Sequence, residues 1–354
     1  MGKKVLVVDD SALMRKHIGG LLKDAGFETF LARNGKEAVE MVIEVRPDVV
    51  TLDINMPEMD GLTALSQIMT ARPTPTIMVS SLTNKGALAT LEAMAMGAVD
   101  YVAKPSGTIS LSIDSIADSL VAKVQAAATA QVKSLRTRAQ VTVAQMQPKP
   151  VALRAPGPRK LTSTAFGLVL IGVSTGGPRT LEEILPLLPA SLPWPVLVVQ
   201  HMPASFTAPF ATRLNTLCQL HVKEAAAIED IQPGTVYIAR GGSDMAVGER
   251  AGRLIIITKP ESSKFLWHPS VDVLVASALT CVPPDRLIGV QLTGMGYDGA
   301  ETMAELKRRG GRTIAESEET AVVFGMPKEL ISRGGATTVL PSGKIASHID
   351  RWLR

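Results

Sequence analysis

The sequence predicts an α/β protein with two domains, and three observations support this expectation. The chain has 354 residues, which at about 150 residues per domain corresponds to roughly two domains. Two blocks of the chain alternate short apolar runs with amphipathic stretches, as strands and helices do in α/β folds. A proline-rich, basic segment without acidic residues separates the two blocks.

The first block, residues 1–125, contains five strand-and-helix units. The apolar run Val5–Val8 predicts a buried strand, and apolar residues at helical spacing follow it from Leu13 to Leu22. Asn34 is placed to cap the next helix. The remaining predicted strands and helices are, in chain order, Glu28–Leu31, Glu37–Val45, Asp48–Leu52, Leu62–Met69, Thr76–Val79, Ala87–Met96, Tyr101–Ala103 and Ile113–Ala128. This alternation predicts a five-stranded parallel sheet with helices on both faces.

Residues 126–164 form the predicted linker. No acidic residue occurs between Asp118 and Glu182, whereas basic residues and prolines accumulate there. This composition is typical of a solvated spacer, and it also fits a polybasic segment that docks on an acidic surface. The sequence leaves both interpretations open.

The second block, residues 165–354, predicts a larger α/β domain. Phe166–Val173 and Val196–Val199 are predicted to be buried strands, each followed by a helical stretch. Val236–Ala239 and Leu254–Thr258, with glycine turns between them, predict a β-hairpin insert. Strands and helices then resume at Leu287–Leu292, Ala300–Arg309, Arg312–Ala315 and Ile345–Leu353.

Composition and charge argue against several classes of protein. With 46% hydrophobic and 20% charged residues, the chain has the profile of a globular protein rather than a disordered one. The net charge of +4 is small for this length and gives no support to nucleic-acid binding. The two cysteines lack metal-ligand spacing, and neither a signal peptide nor a membrane-spanning run is apparent. We therefore expect a cytoplasmic protein without direct membrane insertion or a nucleic-acid partner.

Polar side chains follow the predicted strands of the first block. Asp9 and Asp10 follow the first strand, Asp53 the third, Ser80 the fourth and Lys104 the fifth. Ligands of open α/β sheets bind at the carboxyl ends of the strands, where all five residues are expected to meet. Three carboxylates together require a cation, and an all-oxygen set suits Mg²⁺. The alternative is that the aspartates are turn formers and Lys104 is an ordinary surface lysine.

These residues resemble the active site of response-regulator receiver domains. The matching stretches are Val7–Ser11, Leu52–Gly61, Val79–Ser81 and Lys104–Pro105. The resemblance implies a doubly wound, flavodoxin-like domain in which Asp53 accepts a phosphoryl group. It also implies that Asp9, Asp10, Asp53 and the Asn55 carbonyl hold Mg²⁺, that Ser80 and Lys104 sense the phosphoryl group, and that the Lys104–Pro105 bond is cis.

A possible nucleophile follows the first strand of the second block. Ser174 lies in a G-x-S-x-G pattern between an apolar strand and a helical stretch. Small neighbours allow a sharp turn, and the helix start supplies free N–H groups for an oxyanion. The motif is also compatible with a turn that packs a helix on a sheet or cradles a phosphate. His201 and Asp298 follow two other strands and could act as a base and as its orienting carboxylate, although the chain order differs from that of α/β-hydrolases.

The second block is similar to the catalytic domain of the chemotaxis protein-glutamate methylesterases. The matching stretches are Ile171–Pro178, Gln200–Pro203, Pro269–Leu274 and Leu292–Gly299. The resemblance implies a Rossmann-like domain with the triad Ser174, His201 and Asp298, and an oxyanion donor at the Met295 N–H, to which we add an N–H near Thr175. His268 stands where the family resemblance predicts arginine.

Together the two resemblances imply an enzyme of chemotaxis adaptation. Its activities would be hydrolysis of glutamate methyl esters on the cytoplasmic helices of chemoreceptors, releasing methanol, and deamidation of receptor glutamines. A chemotaxis histidine kinase would donate the phosphoryl group, Mg²⁺ would serve the acidic site, and ester hydrolysis would need no cofactor. We expect the first domain to dock over the strand ends of the second and to release them on phosphorylation. The alternative function is a non-catalytic response-regulator adaptor whose second domain binds a signalling partner.

Overall fold

The structure is a computed structural model that describes residues 2–81, 83–104, 114–130 and 166–354. Pro105 and most of the predicted linker lie outside the described residues. The cis Lys104–Pro105 bond and the role of the linker therefore stay predictions.

The N-terminal domain is a five-stranded parallel sheet, as the sequence predicts, and its strand order is β2-β1-β3-β4-β5. Its strands are β1 (Lys4–Val8), β2 (Glu28–Ala32), β3 (Val49–Asp53), β4 (Thr76–Ser81) and β5 (Asp100–Lys104). Its described helices are α1 (Ala12–Asp24), α2 (Gly35–Val45), α3 (Gly61–Ala71), α4 (Asn84–Met96) and α5 (Asp114–Ala127). The order reverses beside β1, so the carboxyl ends of β1 and β3 border the crevice in which such sheets bind ligands.

Local sequence explains where these helices begin. The Asn34 side chain accepts the Glu37 N–H at 2.9 Å, which confirms the predicted cap of α2. Asp60 caps α3 in the same way by accepting the Thr63 N–H at 2.7 Å. Each cap satisfies one of the N–H groups that the first helical turn leaves unpaired.

The C-terminal domain is built on a seven-stranded parallel sheet in the order β15-β14-β13-β6-β7-β10-β8. Its strands are β6 (Leu168–Val173), β7 (Val196–Gln200), β8 (His221–Glu224), β10 (Thr235–Ile238), β13 (Leu287–Gln291), β14 (Arg312–Glu316) and β15 (Thr338–Leu340). The helices described in this domain are α6 (Gly177–Ile184), α7 (Ala204–Leu217), α8 (Val271–Cys281), α9 (Ala300–Arg308), α10 (Met326–Ser332) and α11 (Ser342–Leu353). Because β13, β6 and β7 are parallel neighbours, the loops after Gln291, Val173 and Gln200 meet at one edge.

The insert of the C-terminal domain differs from the prediction. Val236–Ala239 was expected in the insert, but β10 pairs with β7 and β8 in the main sheet. The insert consists of β9 (Ile228–Asp230), β11 (Asp244–Arg250) and β12 (Arg253–Lys259), in the antiparallel order β11-β12-β9. The hairpin of the insert is therefore formed by β11 and β12, whereas the buried run of β10, which was predicted to belong to the insert, lies in a parallel sheet that is covered on both faces.

The two domains pack against each other beside the strand ends of the larger sheet. Helix α4 contacts α6 and α7, and one buried apolar cluster includes residues of both domains. The rings of Tyr101 and Phe206 stack with their centroids 4.6 Å apart. The Asp100 carboxylate accepts a hydrogen bond of 2.6 Å from the Thr175 hydroxyl.

Within the described ranges, no helix is long and apolar enough to cross a membrane.

We expect Phe206→Ala to lower the free energy of unfolding by about 3–5 kcal/mol, because this fully buried ring leaves a cavity beside Tyr101. Urea unfolding followed by circular dichroism measures the change. Leu217→Ala, on the same helix but partly exposed, is the matched control and should cost much less. Equal losses for the two variants would contradict the packing described.

Candidate active site

The loop after β6 presents Ser174 at the edge of the large sheet. The Ser174 N–H donates to the Thr293 carbonyl at 2.9 Å, and the Gly177 N–H donates to the Ser174 carbonyl at 2.8 Å. Gly176 has a φ of +78°, a conformation that glycine adopts without strain. The turn is therefore tight, and α6 begins directly after the serine.

Gln200 joins this loop to the loop that carries His201. Its side-chain amide donates to the Ser174 carbonyl at 3.0 Å and to the His201 carbonyl at 3.1 Å. The His201 N–H donates to the Val173 carbonyl at 3.1 Å. The serine and the histidine are thus held at adjacent strand ends by one bridging side chain.

Asp298 lies behind His201. Its Oδ2 is 2.8 Å from Nε2 of His201 and also accepts the Val271 N–H at 2.7 Å. Its Oδ1 accepts the Ser270 hydroxyl at 2.9 Å and the Asp272 N–H at 3.0 Å. Burial by itself would raise the pKa of Asp298, but the bond and charge of His201 and the backbone donors outweigh it, so the pKa lies below its ordinary value.

The contact with Asp298 determines which ring nitrogen of His201 is available for chemistry. Nε2 donates to the carboxylate, so the neutral ring carries its lone pair on Nδ1. Nδ1 is buried and has no hydrogen-bond partner among the described residues. An unpartnered acceptor at this position is suited to take a proton from a nucleophile.

The loop after β13 also contacts Ser174. A Cβ added to Gly294 would lie 2.8 Å from Cβ of Ser174, so only glycine fits there. The Thr293 hydroxyl donates to the Thr175 carbonyl at 2.8 Å. The backbone N–H groups of Met295 and Thr175 have no acceptor among the described residues. Two free donors near the serine are the arrangement that stabilises an oxyanion.

Glu316 is a buried acid beneath this loop, and the sequence analysis did not single it out. It accepts the Thr293 N–H at 2.8 Å and the Thr320 hydroxyl at 2.9 Å. Burial, reinforced by the charge of Glu183 and opposed by these two donors, raises its pKa to about 7. Its position as the last residue of β14, directly after the apolar run that the sequence shows there, was the available signal.

The acidic site of the N-terminal domain also forms at strand ends. Carboxylate oxygens of Asp9, Asp10 and Asp53 lie within 4.8 Å of one another. Nζ of Lys104 is 2.9 Å from Oδ2 of Asp9 and 2.7 Å from Oδ2 of Asp53. The donor set consists entirely of oxygen atoms, which fits a hard divalent cation.

The surroundings of this acidic site shift two pKa values. Burial raises the pKa of Asp53, and the charge of Asp9 adds to the effect, although Lys104 opposes both. Burial would lower the pKa of Lys104, but its bonds to Asp53 and Asp9 raise it. Asn55 lies beside Asp53 and donates its N–H at 3.4 Å, and the buried Ser80 donates its hydroxyl to the Gly86 carbonyl at 3.2 Å. The structure thus brings together Asp9, Asp10, Asp53 and Lys104, with the Asn55 N–H bonded to Asp53, whereas Ser80 lies in the neighbouring strand β4.

Two family models match the chain. The model of the CheB methylesterase family matches residues 169–349, and the model of the response regulator receiver domain matches residues 5–113. The chain belongs to the CheB methylesterase family. The Ser174, His201 and Asp298 constellation lies within the methylesterase match, and the acidic site lies within the receiver match.

Relatives of this family cover the whole chain. A curated relative from Rhodospirillum rubrum, named protein-glutamate methylesterase/protein-glutamine glutaminase 3, is 55% identical over 99% of this chain and 96% of its own. One from Carboxydothermus hydrogenoformans, named protein-glutamate methylesterase/protein-glutamine glutaminase 2, is 50% identical over 99% of each chain. The crystal structure of the Thermotoga maritima CheB methylesterase catalytic domain has a TM-score of 0.51 and 41% identity, and covers 52% of this chain and 98% of its own.

Glu316 gives the stability of the chain a pH dependence of definite sign. Its pKa of about 7 in the folded state exceeds its ordinary value of 4.5. The contribution of Glu316 to the free energy of unfolding is therefore complete below pH 4.5 and is lost as the pH rises through about 7. Glutamine at this position accepts the Thr293 N–H and never ionises. We expect Glu316→Gln to be close to the wild type at pH 4.5 and to exceed its free energy of unfolding by about 3 kcal/mol at pH 8.

Denaturant unfolding at both pH values measures this difference. Glu318→Gln, which changes an exposed acid two residues away, is the control and should be close to the wild type at both pH values. A Glu316→Gln variant that parallels the wild type from pH 4.5 to pH 8 would show that Glu316 does not titrate in this interval.

Proposed function

We propose that the chain is a phosphorylation-regulated serine hydrolase with protein-glutamate methylesterase and protein-glutamine glutaminase activity. The supporting observation is the Ser174, His201 and Asp298 constellation, in a chain that is 55% identical over nearly its full length to a curated enzyme of that name. Its substrates are methyl-esterified glutamates and specific glutamines on the cytoplasmic helices of chemoreceptors. We also keep the division into residues 1–125, 126–164 and 165–354 as a proposal, supported by the two family matches.

The first half of the reaction forms an acyl-enzyme. Oγ of Ser174 attacks the side-chain carbonyl carbon of the methyl ester while Nδ1 of His201 takes the hydroxyl proton. Asp298 holds Nε2 and stabilises the imidazolium. The negative oxygen accepts hydrogen bonds from the N–H groups of Met295 and Thr175. The tetrahedral intermediate then collapses, the C–O bond to the methoxy group breaks, and methanol leaves with the proton from His201.

The second half of the reaction releases the product. A water molecule attacks the acyl carbon of the ester with Ser174, and His201 takes its proton. The bond to Oγ breaks, Ser174 regains a proton from His201, and the receptor keeps a glutamate side chain. For a glutamine substrate, ammonia leaves in place of methanol. Each step uses groups of this chain and water.

The N-terminal domain supplies the control. We assign Asp53 as the phosphoryl acceptor and a chemotaxis histidine kinase as the donor. Asp9, Asp10, Asp53 and the Asn55 carbonyl would hold Mg²⁺, which would neutralise charge on the incoming phosphoryl group. Ser80 and Lys104 would contact the phosphoryl oxygens.

Strand β5 connects the acidic site to the catalytic loop. Lys104 at its end pairs with Asp53, and Asp100 at its start accepts the hydroxyl of Thr175, the residue after the nucleophile. Phosphorylation of Asp53 changes the partner of Lys104, and we propose that the resulting movement of β5 weakens the docking at Thr175. The adaptor alternative is not favoured, because it assigns no role to a histidine held by a buried carboxylate beside Ser174.

Methanol release from methylated receptor membranes tests the proposed reaction. We expect Ser174→Ala to lower the rate by roughly 10³-fold or more, because the nucleophile is lost. Ser262→Ala, which removes an exposed hydroxyl, is the control and should retain full activity. A small phosphodonor with Mg²⁺ should raise the wild-type rate but not that of Asp53→Asn. No release by the wild type under either condition would refute the proposed substrate.

A second measurement tests the docking contact. Asp100→Asn weakens the bond from Thr175 and the ion pair with Lys123, so we expect a several-fold higher methanol-release rate without phosphodonor and a smaller response to it. Asp118→Asn, an exposed acid on α5, serves as the control. Unchanged basal and stimulated rates in Asp100→Asn would show that this contact does not regulate access.

A further inference from the structure

An aromatic side chain covers one face of the imidazole of His201. The indole of Trp267 stacks on this ring with centroids 5.5 Å apart and planes within 4° of parallel. The ring of Tyr297 meets Trp267 edge-on, at 5.2 Å and 85°. Offset stacking and edge-on packing are the arrangements that aromatic rings prefer. The indole thus lies against one face of the His201 ring, and Tyr297 packs on the indole.

The position of Trp267 is fixed by the contacts of the residues that follow it in the chain and by the close approach of Gly296 to its indole. Nδ1 of the next residue, His268, lies 3.1 and 3.0 Å from the two carboxylate oxygens of the buried Asp244. The Ser270 N–H donates to the same carboxylate at 2.8 Å. A Cβ added to Gly296 would lie 2.8 Å from the indole, so glycine at this position allows the close approach. The indole is therefore placed by backbone and buried polar contacts.

The segment that carries Trp267 also carries the groups that hold Asp298. Ser270 and Val271 donate to its two carboxylate oxygens. One stretch of chain therefore fixes His201 twice, in its ring plane through Asp298 and across its face through Trp267. Nδ1 accepts the serine proton only in one ring orientation, so a contact that limits ring rotation acts directly on the reaction.

The electrostatics of the stack favour the same role. The face of an indole ring carries partial negative charge and attracts cations. His201 becomes an imidazolium when it takes the proton of Ser174, and it becomes neutral again when that proton passes to the leaving methanol. The attraction is therefore stronger in the transition state than in the resting enzyme, which is the condition for accelerating a reaction.

We propose that Trp267 is a positioning residue for His201, which fixes the orientation of the imidazole and stabilises its protonated form. The proposal rests on the assignment of His201 as the base. It does not depend on the identity of the ester.

Kinetics distinguish this role from substrate binding. We expect Trp267→Leu, which fills space without a π system, to lower kcat for methanol release about tenfold with KM nearly unchanged. Trp267→Phe keeps an aromatic face and should recover most of the rate. Trp352→Leu is the control, because Trp352 also packs on a histidine, His348, but on the C-terminal helix. A raised KM with normal kcat would show instead that Trp267 contacts substrate.

The rate at which a fluorophosphonate labels Ser174 separates this proposal from the proposed function. The reaction needs the activated serine but no receptor, so the labelling rate should fall in Trp267→Leu and recover in Trp267→Phe. If the wild type reacts with the probe yet releases no methanol, the proposed substrate is wrong and the labelling rates alone decide the role of Trp267. Equal labelling rates in the wild type and Trp267→Leu would overturn the proposal.

Discussion

The buried carboxylate of Asp298 is the constraint on which the catalytic domain depends. An unpaired carboxylate in this position would cost several kcal/mol, so folding must deliver its donors together. One donor is His201 after β7, and three come from Ser270, Val271 and Asp272 at the start of α8. The N-terminus of a helix favours negative charge, which adds to this stabilisation. The charge that orients the histidine therefore also fixes the relative positions of three distant segments.

A second buried acid, Glu316, shows how surroundings separate the behaviour of two carboxyl groups in one domain. Asp298 has four donors, one of which is the basic His201, and its pKa falls. Glu316 has two neutral donors and a nearby negative charge on Glu183, and its pKa rises. The first group keeps its charge and orients the His201 ring, whereas the second accepts a hydrogen bond from the backbone of Thr293. Asp298 and Glu316 are both buried, but their pKa values shift in opposite directions because the number and charge of their partners differ.

Much of both sites was predictable because polar residues directly follow apolar strand runs. Asp9, Asp53, Ser174 and His201 stand out in this way, and parallel strands bring such residues to one edge. It was harder to predict which sheet a strand joins, because the pairing of Val236–Ala239 depends on β7 and β8 rather than on its local sequence pattern. Trp267 gave no local signal, and the partner of Asp100 is 75 residues away in the chain. Contacts that depend on tertiary packing were the ones missed.

In the regulation proposed above, the shortness of strand β5 would determine how a signal travels from one domain to the other. Asp100 and Lys104 are four residues apart, a span of about 13 Å in an extended strand. One end contacts the acidic site, and the other contacts the residue beside the nucleophile. Communication therefore requires no relay through a chain of core side chains. A stiff strand would transmit a displacement from one end to the other, so the size of the response would depend on how far the Asp100 end moves. Substitutions along β5 would then change the basal and the phosphodonor-stimulated rates without changing the chemistry of ester cleavage.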